Sequence, residues 1–349
     1  MAEEILDPDL PIVDPHHHLW DRRNYAPPAT AGAAETPEHP FITAIADARR
    51  YLLDELIADT SSGHNVRATV FVECGAMYKA EGPADFRCIG ETEFVNGVAA
   101  MSASGTYGDF RACAGIVSKA DLLLGDSVKP VLEAHVRAGG GRFKGIRNSA
   151  SFDQDKAVLG PLNRVEEGLY LSDQFRSGFK HLAHMGLSFD AWLLEPQLPD
   201  VISLARAFPE TTIVLDHVGT PLGRGDYEGM LPARFGVWRD NIRELAKSPN
   251  VVVKLGGLAM AFCNFPSFLA EPRAPSLQLA TEWAPYIGTC IEAFGAERCM
   301  FESNFPVDMG TCDYATLWNA FKHIAKGAGA AEKTALFSGT ATKVYRLEI

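Results

Sequence analysis

A (β/α)8 barrel with long insertions after its strands, formed by one domain over residues 1–349, is the fold class this sequence predicts. Two observations carry that expectation. Eight strand-like runs alternate with about eight helix-like stretches, which is the rhythm of an α/β protein. Several of those runs are almost continuously apolar, as in Ala68-Thr69-Val70-Phe71-Val72 and Val251-Val252-Val253, which suits strands buried on both faces of a parallel sheet. An open doubly wound sheet is the runner-up, but its phosphate turn would follow the first strand. Gly139-Gly140-Gly141 instead precedes a strand and reads as a helix stop.

In chain order, the strands are expected at 11–14, 66–73, 111–117, 142–147, 188–194, 211–216, 250–255 and 298–303. Between them, Ile45, Leu52, Leu53 and Leu56 share one helix face, and a second helix runs from Pro199 through Val201, Ile202, Leu204, Ala205 and Phe208. Leu277, Ala280, Ala284, Ile287, Ile291 and Phe294 keep helical spacing, with Pro285 predicting a kink or two shorter helices. Leu317, Phe321 and Ile324, then Ala335, Leu336 and Phe337, supply the tail.

With 47% hydrophobic residues, the chain can bury a large core. Its net charge of −12 argues against nucleic acid and anionic membrane surfaces as partners. The acidic start lacks the basic and apolar regions of a signal peptide, and no apolar run approaches the ~18 residues of a membrane span. Seven scattered cysteines without a Cys-x-x-Cys pair suit small buried hydrophobes in a reducing cytoplasm. A small-molecule substrate is the expected partner, and self-association is left open.

The chemistry concentrates at the carboxyl ends of the strands, where a barrel of this kind keeps its active site. In Asp14-Pro15-His16-His17-His18-Leu19-Trp20-Asp21, alternation turns His16 and His18 to one side and His17 to the other, a spacing suited to one divalent ion. Glu73, Arg147, Glu195, His217 and Lys254 end or follow the second, fourth, fifth, sixth and seventh strands, and Glu302, Asn304 and Asp308 cluster after the eighth. Charges at a buried rim must pair, bind metal or meet substrate. Arg147 suits either pairing with Glu73 or Glu195, or recognition of a substrate anion; Lys254 suits a neighbouring carboxylate. Asp216 has the opposite strand parity to His217 and reads as a supporting group. His181, His184 and His323 fall in helical patterns and carry no role.

These motifs resemble the amidohydrolase-related (amidohydrolase-2) family over nearly the whole chain, from Val13 to Leu347. The likeness rests on Asp14-x-His16-x-His18, on Leu215-Asp216-His217-Val218-Gly219, on Asn250 to Gly257, and on Arg298 to Val307. The resemblance implies a (β/α)8 barrel that hydrolyses a lactone. A few relatives decarboxylate; some bind one zinc-like ion, and others work without metal. The family usually carries Ser-Asp-Trp-Pro after the last strand, its aspartate serving as ligand or base. Here the run is Ser303-Asn304-Phe305-Pro306, and an amide cannot take a proton from water. Asp308, or the deeper Glu302, is expected to compensate, Asp308 being favoured because a base must reach water. Glu195-Pro196 stands where relatives often have His-Pro, and a glutamate could still complete a His2Glu site.

The expected activity is therefore hydrolysis of a small lactone or related cyclic ester, on a carboxylate-bearing or ring-shaped substrate. His16, His18 and either His217 or Glu195 would hold one divalent ion, zinc or manganese, or polarise the carbonyl directly. Asp308 or Glu302 would accept the water's proton, while Arg147, Lys254, Glu73 and Asn304 would meet the substrate. A metal-dependent decarboxylase and a non-catalytic binding barrel are the alternatives. Long connections at 22–41, 74–90, 218–232 and 258–276 are expected to wall the pocket with Trp20, Tyr25, Phe41, Met77, Tyr78, Phe262, Phe265 and Phe268.

Overall fold

The computed structural model describes residues 3–23 and 39–349; Tyr25 and the Ala/Pro/Gly-rich patch at 26–37 lie outside them. Eight parallel strands follow one another around the sheet in chain order: β1 (Pro11–His17), β2 (Asn65–Val72), β3 (Arg111–Lys119), β4 (Phe143–Arg147), β5 (Ser188–Ala191), β6 (Ile213–Leu215), β7 (Val251–Leu255) and β8 (Cys299–Phe301). Each overlaps its expected run. The ring closes beyond the end of β8, where His18 N–H donates to Phe305 O (2.7 Å) and Asn304 N–H donates to His16 O (2.9 Å). The result is a nearly closed α/β barrel.

Side-chain alternation divides the interior into layers. Val70, Val117, Val214, Val252 and Met300 form an apolar lower layer, capped from below by Ala341, Tyr345 and Leu347 of the C-terminal segment. Two residues further along their strands, Lys254 shares the inner face of Val252, as Glu302 does that of Met300 and Asp216 that of Val214. The apolar plug thus gives way to a charged layer at the carboxyl ends. A larger core fills the space between the sheet and the surrounding helices.

Two helical expectations change. Ile45 and Leu53 do not share a helix: a short helix at Pro40–Ala44 is followed by Arg50–Tyr51, which pairs antiparallel with Trp20–Asp21 before the helix Leu53–Thr60 begins. Ser276–Phe294 runs as one helix with Pro285 inside it rather than as two shorter ones. Gly139 closes the helix Lys129–Ala138 by donating to His135 O (2.8 Å), as the glycine run suggests. Among the described residues, no helix is long and apolar enough to cross a membrane.

Candidate active site

β1 delivers the three histidines to different places. His17 turns outward, its Nε2 2.9 Å from Thr69 Oγ1. His16 faces the barrel interior, and His18 lies above it with ring centroids 5.0 Å apart. His18 Nδ1 sits 2.8 Å from Val72 O; a carbonyl only accepts, so Nδ1 carries the hydrogen and Nε2 keeps its lone pair. Asp14 ties the two ends of the sheet together, accepting from His16 N, Ser303 N and the Tyr314 hydroxyl. Burial pushes its carboxyl up to about 6, against the pull of those hydrogen bonds.

β6 ends at Leu215, and strand parity carries Asp216 inward. His217 then enters the same space because the chain turns left-handed there, with φ of 56° at His217 and 49° at Val218. Both neighbours therefore point into the site, Asp216 towards Lys254 and Arg147. Two glycines after β7 make room. A Cβ on Gly257 would lie 2.3 Å from His217 Nδ1, and one on Gly256 would lie 2.5 Å from Glu302 Cγ. The Gly256-Gly257 pair is thus a spacing device for the dyad behind it.

Glu302 is the hub. Its Oε1 accepts from His217 Nδ1 (2.7 Å) and from His217 N (3.1 Å). Its Oε2 lies 2.7 Å from His16 Nδ1 but has no aligned N–H, so this buried oxygen has no hydrogen-bond partner among the described residues. Lys254 Nζ stands 3.2 Å from the same His16 nitrogen, 2.7 Å from Asp190 Oδ2 and 3.0 Å from Asp216 Oδ1. Burial works against the Lys254 ammonium, but Asp190, Asp216 and Glu302 outweigh it and hold its pKa above the usual value. Burial also raises Asp190, to about 6, despite Lys254.

Arg147 is consumed by its neighbours. Its Nε donates to Glu73 Oε1 (2.9 Å), one terminal nitrogen donates to Glu73 O (2.6 Å), and the other stands 3.5 Å from Asp216 Oδ2 and 3.3 Å from His16 Nε2. The pairing reading of Arg147 and Lys254 therefore describes their contacts, and Glu73 acts as the partner of Arg147.

This arrangement suits a divalent ion. His16, His217 and Glu302 each offer one ligand atom, and these atoms lie within 4.8 Å of one another. Glu73, Asp190, Asp216 and Glu302 supply four carboxylates against two cations, Arg147 and Lys254. One His16 nitrogen cannot both accept from Lys254 and donate to Glu302, so a cation between imidazole and carboxylate answers the geometry. A proton is disfavoured, because burial, followed by the charges of Lys254 and His217, holds the His16 pKa well below its usual range. Two imidazoles and a carboxylate form a zinc-type donor set.

Two expected residues lie elsewhere. Glu195 opens a short 3-10 turn that aims its carboxylate at Arg234 Nε, so it does not join the histidines. Asp308 is fully buried and accepts from Asn304 Nδ2 (2.9 Å); burial raises its pKa well above the carboxylate range. A carboxyl sequestered in this way does not reach water as a base. It fixes the Asn304 side chain instead.

Above the hub opens a cavity of about 530 Å³, into which His18, His217 and Asn304 project. Trp20, Phe41, Tyr78 and Phe262 line it as expected, whereas Met77 is exposed and Phe265 packs into the core. Phe268 and the 218–232 connection are absent from its described walls. The segment after β4 replaces them, through Ser149, Leu162, Arg164 and Val165, and Trp192 follows β5. The sequence did signal this wall: 40 residues separate Arg147 from Ser188, more than a simple helical crossover needs.

Comparison with known proteins agrees with this architecture. The amidohydrolase family model matches residues 13–347. A protein of Sinorhizobium fredii, y4mH, is 35% identical over 97% of this chain and 99% of its own length. An L-fucono-1,5-lactonase of Burkholderia multivorans is 33% identical over 50% of this chain and 56% of its own length. Among solved structures, an amidohydrolase of Burkholderia multivorans with bound zinc superposes with a TM-score of 0.70 at 24% identity, covering 97% of this chain and 99% of the other. The charged inner layer, the nearly closed barrel and the family match together identify the chain as a hydrolase of the amidohydrolase family.

Proposed function

We propose that this protein hydrolyses a small lactone or related cyclic ester. The observation that carries the reading is the Glu302 carboxylate gripped between His16 and His217, beneath a cavity into which His18 presents an unprotonated Nε2. The partial likeness to L-fucono-1,5-lactonase supports the same class of bond.

His16, His217 and Glu302 would hold a divalent ion, zinc by donor chemistry, which when bound supplies a Lewis acid for the ring carbonyl and a water of pKa about 7. His18 Nε2 is placed to take a proton from the attacking water and return it to the departing ring oxygen. Burial, then Arg147, keeps the His18 pKa well below its usual range, so this nitrogen is free at neutral pH. Val72 O holds the ring in the required tautomer through Nδ1–H. Asp216 and Lys254 fix the charge around His16, and Asn304, anchored by Asp308, offers an amide to the substrate but no proton acceptor.

The test is a panel of five- and six-membered lactones followed by acid release, alongside elemental analysis of the purified protein. Turnover that falls at least about 100-fold in His18→Ala, with near one equivalent of zinc lost in His16→Ala/His217→Ala, is expected. Carbon dioxide release from aromatic acids with no lactone opened would replace this reading with a decarboxylase.

A further inference from the structure

Glu91 is a buried carboxyl that the proposed reaction does not use. It sits in the first turn of the helix Ile89–Ala103 with no exposed surface. Its Oε1 accepts from Cys74 N (3.1 Å) and from Ala76 N (2.7 Å), and the Cys74 thiol lies 3.7 Å away. Its Oε2 is buried without a hydrogen-bond partner among the described residues. The residue before it approaches the same loop closely: a Cβ on Gly90 would lie 2.5 Å from Met77 O and 2.8 Å from Lys79 N. The start of this helix therefore holds the connection after β2 by close packing and by hydrogen bonds together.

That connection leads directly into the site. The Glu73–Cys74 peptide is gripped at both ends, its carbonyl accepting from Arg147 (2.6 Å) and its N–H donating to Glu91. Arg147 also donates to Glu73 Oε1 and stands 3.3 Å from His16 Nε2. Beyond the peptide, Cys74, Gly75 and Tyr78 form part of the cavity wall. Burial, then the nearby Glu73, raises the Glu91 pKa to about 8. Glu73, the Cys74 thiol and the Tyr78 phenol face it from the loop and Cys88 from the helix start, with Arg22 and Arg147 beyond Cys74. Burial pushes the two thiols and the phenol up, so they stay protonated while Glu91 titrates.

We propose that Glu91 is a positioning residue: through the Glu73–Cys74 peptide it sets the placing of Arg147 beside His16 and of the Cys74–Tyr78 wall of the cavity. A carboxylate accepts from the two amides more strongly than the neutral acid does, so the hold tightens as pH rises through about 8. The consequence for turnover rests on the lactonase reading, whereas the positioning can be tested without it. Protein labelled with 15N-cysteine and 15N-arginine is titrated from pH 6.5 to 9.5 as wild type, Glu91→Gln and Glu91→Leu. The signals followed by NMR are Cys74 N–H and Arg147 Nε–H, assigned with Cys74→Ser and Arg147→Lys. Glutamine keeps the acceptor and mimics the protonated acid; leucine removes the acceptor. In parallel, kcat/KM for a six-membered lactone is measured over the same range.

Both wild-type signals are expected to shift with one midpoint near 8, and Glu91→Gln to hold them at their low-pH positions throughout. Glu91→Leu should displace both at every pH; if that variant fails to fold, Glu91→Gln decides alone. The ratio of wild-type to Glu91→Gln kcat/KM should be near one at pH 6.5 and about fivefold at pH 9. Signals that titrate alike in wild type and Glu91→Gln, or an Arg147 signal indifferent to Glu91, overturn the positioning role and leave the lactonase reading intact. Shifts that depend on Glu91 with a kcat/KM ratio of one at every pH reduce it to an anchor of the loop, which also overturns the role. Shifts that depend on Glu91 with no lactone opened uphold the placing of Arg147 and sink the lactonase reading.

Discussion

The inner layer of the barrel and the rim of the cavity above it use the same residue types in opposite ways. Below, Lys254 stands between Asp190 and Asp216, Arg147 between Glu73 and Asp216, and Glu302 between two imidazoles. Above, Lys119, Arg22 and Arg164 line the cavity beside aromatic rings, and none of them pairs with a carboxylate among the described residues. Charges removed from water must be matched within the protein, so those below set positions. Charges on the rim keep part of their hydration and remain available to a ligand. A lysine at a strand end thus has no fixed meaning; its neighbours decide whether it is bound into the site or left at the rim.

Replacing the paired lysine is the most direct way to break this contrast. Lys254→Met leaves Asp190 without its cation and Asp216 with Arg147 alone, and a loss of about 3–5 kcal/mol in urea unfolding is expected. A loss below about 1 kcal/mol would mean that the inner charges are not a structural unit. Next in size, Gly257→Ala would drive a Cβ against His217 at a backbone φ of +66°, and a displacement of that kind costs about 100-fold in kcat/KM. Wild-type kinetics in this variant would separate His217 from the reaction.

A smaller effect concerns pH. His135, outside the site, holds Lys119 O through Nε2 (2.9 Å), and burial lowers its pKa to about 4. The unfolded chain takes up a proton near pH 6.5 that the folded His135 refuses until about pH 4. Its share of stability is therefore full above pH 6.5 and is lost as pH falls towards 4, amounting to on the order of 2 kcal/mol by pH 5. Urea midpoints at pH 7.5 and 5.0 should converge in His135→Gln by that share; an unchanged gap would assign the acid sensitivity to other groups. Smallest of all, Lys119→Met should alter stability by no more than about 0.5 kcal/mol, because the rim lysine supports nothing in the fold.

The strand ends were legible because a parallel barrel needs apolar runs and places its polar residues just beyond them. His16, His217, Glu302, Lys254 and Arg147 could all be nominated from that rule, and the structure gathers them around one point. Their partners were harder to read. Asp190 lies within a strand, and the left-handed backbone at His217 breaks the parity count that sets it apart from Asp216. Asp308 seemed accessible on a loop, yet the turn after Asn304 folds it into the core. Glu195 has a helix-borne arginine 39 residues away as its partner, a pairing no local pattern announces. The rim cations come from the connection after β1, the end of β3 and the connection after β4, and meet only in space.

The closure of the ring has a mechanical consequence. β1 and β8 meet through a few hydrogen bonds around His16, His18, Ser303 and Asn304, so the hoop is fastened where its chemistry is done. His16 belongs to one end of that hoop and Glu302 to the other. Anything that grips both acts as a clasp, and the work of holding it is shared with the work of keeping the barrel shut.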